Sequence, residues 1–76
     1  MNKARREILF EASELLRQAH GIIYMALDQE QECLDNMPEN LQDSDRYQKM
    51  ESAVENLESA VESIDEARLS LDFASV

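Results

Sequence analysis

Ser52-Ala53-Val54-Glu55-Asn56-Leu57-Glu58, Ser59-Ala60-Val61-Glu62-Ser63-Ile64-Asp65 and Glu66-Ala67-Arg68-Leu69-Ser70-Leu71-Asp72 are three successive seven-residue units, and Phe73-Ala74-Ser75-Val76 opens a fourth. Alanine returns at the same step of each unit, at Ala53, Ala60, Ala67 and Ala74. Tyr47, Met50, Val54, Leu57, Val61, Ile64 and Leu71 follow the alternating three- and four-residue spacing of a helical heptad, and Arg68 fills the slot between Ile64 and Leu71. A period of seven is far below that of solenoid arrays, so these units are turns of one helix and not separate modules.

The first half carries a matching ladder at Ala12, Ala19 and Ala26, with small Cys33 at the next step. Ile8, Leu15 and Ile22 alternate with those alanines, and Leu9, Leu16 and Ile23 widen the stripe by one position. Such a width suits a helix in a bundle better than a two-stranded seam. Gly21 falls inside this pattern. It costs about 1 kcal/mol relative to Ala in a helix, but the heptad phase passes through it without a slip.

Two small-residue ladders let two helix backbones approach closely, so the expected fold is all-α: an antiparallel two-helix hairpin. Helix 1 is expected at about 3–35, a turn at about 36–44 and helix 2 at about 45–74, in one domain. Pro38 holds Met37 out of the helical region and ends helix 1 near Asn36. Asp43, Ser44 and Asp45 are candidate N-caps for helix 2, and Asp45 with Gln48 resembles a capping box. Leu41 is expected to fold inward over the end of the bundle. The core should place Leu9, Ala12, Leu16, Ala19, Ile23 and Ala26 against Val54, Leu57, Val61, Ile64 and Leu71.

A chain of 76 residues buries a small core, and with a single cysteine it has no internal disulfide. Oligomerisation is the usual remedy. Ile22-Ile23-Tyr24-Met25-Ala26-Leu27 is apolar at consecutive positions that sweep more than a full turn, which one partner helix cannot cover. Ile22, Tyr24, Met25 and Leu27 are therefore the expected oligomer interface, in a homodimeric four-helix bundle.

The formal charge is −10, from 17 acids and 7 bases. Direct nucleic-acid binding is not expected, because that affinity comes from Lys and Arg, and an anionic membrane is disfavoured for the same reason. No stretch approaches the ~20 apolar residues of a membrane span, and the N-terminus lacks a signal-peptide pattern, so a soluble, cytoplasmic chain is expected. The acids concentrate around the turn, at Asp28, Glu30, Glu32, Asp35, Glu39, Asp43 and Asp45, with no base among them. These residues form a candidate surface for a basic partner protein.

No chemistry converges in the letters. One Cys and one His cannot complete a zinc site, and no Glu-x-x-His pair is present for a di-iron bundle. Neither a metal nor another cofactor is expected. His20 is expected in solvent or at a subunit contact, and Cys33 as a buried thiol among acidic neighbours. Arg68 should cover the core edge with its stem and reach Glu11 or Glu14. No nucleophile and base can be paired, so the expected function is a non-enzymatic protein–protein interaction or regulatory module. The alternative is an acidic inhibitor that imitates DNA on a basic nucleic-acid-binding protein.

Asp35-Asn36-Met37-Pro38-Glu39-Asn40-Leu41-Gln42, followed by a capped acidic helix, resembles the D-N-x-P-E-x-L-Q turn of small acidic helical proteins of phages, prophages and gut bacteria. The likeness runs from Glu30 to Glu66, about half of the chain. Many of those proteins carry Gly where Tyr47 stands. The resemblance implies a compact ordered turn and a mobile-element accessory role, and it transfers no site residue.

Overall fold

The computed structural model describes all residues, Met1–Val76. Helix α1 spans Lys3–Asp35, a short 3-10 turn covers Glu39–Leu41, and helix α2 spans Asp45–Ala74. α1 and α2 pack on each other as an antiparallel hairpin. The rod measures 59 × 15 × 13 Å.

Local chemistry sets each boundary. Asn2 is extended, and its side-chain oxygen accepts from the Arg5 N–H at 2.9 Å, which satisfies one free donor of the first turn. α1 runs unbroken through Gly21 and ends at Asn36. Pro38 is extended, and the Leu41 N–H donates to its carbonyl at 2.9 Å to start the 3-10 turn. Ser44 then performs two tasks. Its hydroxyl donates to the Leu41 carbonyl at 2.6 Å and accepts from the Tyr47 N–H at 3.2 Å. Ser44 is thus the N-cap, and Asp45 is the first helical residue, so no Asp45–Gln48 capping box forms. The whole reversal is made without a positive φ.

Leu9, Leu16 and Ile23 face α2, with Ser13, His20, Leu27 and Leu34 beside them. Opposite stand Met50, Val54, Leu57, Val61, Ile64 and Leu71. Three expectations fail together on α1: Ala26 and Cys33 are exposed, and Leu27 turns inward. The cause is helical drift. A straight α-helix rotates about 20° per heptad, so the ladder from Ala12 to Cys33 slides off the face while Leu27 and Leu34 rotate onto it. Leu41 remains 45% exposed, because the 3-10 turn carries it past the bundle end instead of over it.

The hairpin buries little. Val54, 5% exposed, is the one buried residue. The radius of gyration is 17.3 Å, against about 11 Å for a globular chain of this length.

Candidate functional site

The two flanks of the hairpin differ in chemistry. On one flank the helices meet through a polar contact: His20 Nε2 lies 3.2 Å from Asp65 Oδ1. The His20 ring also stacks on Tyr24, with centroids 6.1 Å apart. His20 is therefore half-buried between the helices and not free in solvent. Further along this flank, Arg6, Phe10, Ser13, Arg68, Leu71 and Asp72 line a shallow groove. Arg68 packs its stem there, and its Nε is buried without a hydrogen-bond partner. It reaches neither Glu11 nor Glu14, the latter being held by Arg17 at 3.1 Å. Lys3, Arg5 and Arg6 form no ion pair with α2.

The opposite flank follows from handedness. Both helices are right-handed and run antiparallel, so the residue preceding each inward position swings to the same side in both. The residues preceding Leu9, Leu16 and Ile23 are Ile8, Leu15 and Ile22. Those preceding Val54, Val61 and Arg68 are Ala53, Ala60 and Ala67. His20 and Asp65 each follow an inward residue by four positions, which puts them on the other side, where they meet. Ile8, Leu15 and Ile22 are 64%, 60% and 67% exposed. They form a ridge on α1, with Ala12, Ala19 and Ala26 at its foot. Ala53, Ala60 and Ala67 make a low bed beside it on α2, edged by Asn56, Ser63 and Ser70.

Over its middle, from Ile8 to Ala26 on α1 and from Asn56 to Ser70 on α2, this flank carries no acid; half-buried Glu30, three residues after inward Leu27, stands on it near the turn end. Its other α1 positions are Arg5, Ile8, Ala12, Leu15, Ala19, Ile22, Ala26, Gln29 and Cys33. Its α2 positions are Arg46, Lys49, Ala53, Asn56, Ala60, Ser63, Ala67 and Ser70. In a chain with 17 acids among 76 residues, an even spread would leave several here. Glu51, Glu58, Asp65 and Asp72 instead form a heptad row on the His20 side, and Glu55, Glu62 and Glu66 point outward from α2.

The four residues expected at an oligomer interface are therefore divided. Ile22 stands on the ridge, and Met25, in the row of Glu11, Gln18 and Glu32, faces away from α2; both are more than half exposed. Tyr24 lies on the other flank against His20, and Leu27 packs inside the hairpin. Ile8 and Leu15 join the ridge in their place. Gly21 faces away from both α2 and the ridge, and a Cβ there would meet nothing within 4 Å. A smaller apolar spot, Leu69 and Phe73, lies on the outer side of α2.

At the turn end, Asp28, Glu32, Asp35, Glu39, Asp43 and Asp45 are exposed and Glu30 is half-buried. Asp35 accepts from Gln31 at 2.9 Å. No group of three His, Cys, Asp or Glu side chains is placed to hold a metal ion, and no helix is long and apolar enough to cross a membrane. No protein-family model matches the chain, and neither a curated protein nor a solved structure matches it.

Proposed function

We propose that this chain is a non-enzymatic protein–protein interaction module that acts as a homodimer, two hairpins joined through the flanks that bear Ile8, Leu15 and Ile22 into a four-helix bundle. The observation that carries this reading is the absence of acid from the apolar middle of one flank of an otherwise acidic rod. A flank that faced only water would have no reason to lack carboxylates while exposing Ile8, Leu15 and Ile22. Surface area supports the same reading. The hairpin exposes 5851 Å², whereas a globular monomer of its mass exposes about 4,700 Å². The excess, on the order of 1,100 Å², exceeds the ~800 Å² that each partner contributes to a standard interface.

Light scattering on a sizing column tests this at micromolar concentration. The expected mass is twice the 8.7 kDa of one chain. A well-behaved species of one chain's mass would overturn the homodimer.

The base-free acidic turn end favours a second role for the same assembly, as an acidic ligand of a basic protein. In that role it would compete with DNA for a nucleic-acid-binding protein, and binding would weaken steeply as salt rises. Salt-insensitive binding, or binding unaffected by competing DNA, would count against it.

A further inference from the structure

We draw no further inference here: the strongest candidate, the shallow groove between the start of α1 and the end of α2 where Arg68 Nε is buried without a hydrogen-bond partner, has its bases Lys3, Arg6 and Arg68 matched by Glu7, Glu14 and Asp72 on the same walls, and nothing in the structure shows what covers it.

Discussion

The two flanks of this hairpin are built on one heptad and differ in nearly everything else. One holds His20 against Asp65, stacks Tyr24, tucks the stem of Arg68 into a groove and carries a row of carboxylates. The other holds a ridge of branched aliphatics beside a bed of alanine and serine. Neither arrangement is required for α1 and α2 to pair, since Leu9, Leu16 and Ile23 against Val54, Leu57 and Val61 already do that. A flank that the hairpin does not need, and whose apolar middle lacks acid, is the surface that the proposed homodimer would use.

The largest expected effect comes from placing acid where the chain has none. Leu15→Glu with Ile22→Glu should convert the dimer to a single hairpin, a fall in Tm of well over 10 °C accompanying the change in mass. Each substitution removes about 1.5–3 kcal/mol of apolar burial and would also bury a carboxylate without a partner. Phe10→Glu, an equally exposed apolar site on the His20 flank, should leave the mass unchanged. A dimer that survives the first pair and falls to the second would exchange the roles of the two flanks.

Ala60→Leu sharpens the comparison from the α2 side. Ala60 is half-buried in the low bed, and added methylenes at a closely packed position cost about 1–3 kcal/mol. Weaker dimerisation, with the helix content of the hairpin retained, is expected from a dilution series followed by light scattering. An unchanged dissociation constant would show that α2 stands back from the contact.

Much of this was legible in the sequence. The expected helices at 3–35 and 45–74 coincide with α1 and α2 because Asn2, Pro38 and Ser44 act locally, through caps and a fixed φ. The phase of α1 was not legible to one residue. Ile8-Leu15-Ile22 and Leu9-Leu16-Ile23 are both apolar heptad rows, and periodicity alone cannot say which faces α2. Only with that phase fixed does the distribution of acid resolve into a flank bare in its middle and a charged one. Leu27, Ala26 and Cys33 were misplaced for a related reason, since a strict seven-residue ladder ignores the drift of a 3.6-residue helix. His20 gave no signal at all, because its partner Asp65 lies on the other helix.

Gly21 tests whether anything approaches α1 on its remaining side. A Cβ there enters open space in the hairpin, and the proposed dimer does not cover it. Gly21→Ala should therefore stabilise the protein by about 1 kcal/mol per chain through helix propensity. That gain corresponds to a rise in Tm of some 4–8 °C for a domain of this size. A lower Tm would reveal a close contact on a face that is here assigned to solvent.

The smallest effect belongs to the one inter-helix ion pair. Asp65 has a side chain 58% exposed, and its partner His20 is charged only when protonated. Exposed pairs contribute about 0–1 kcal/mol, so Asp65→Asn should move Tm by only a few degrees and leave the mass unchanged. The contrast with Leu15 and Ile22 is the point of the measurement: the pair links α1 to α2 at mid-rod, yet it lies on the flank that the proposed dimer leaves in water. Loss of the dimer on removing this single charge would place His20, Tyr24 and Asp65 at the contact, and the opposite flank would then need a different partner.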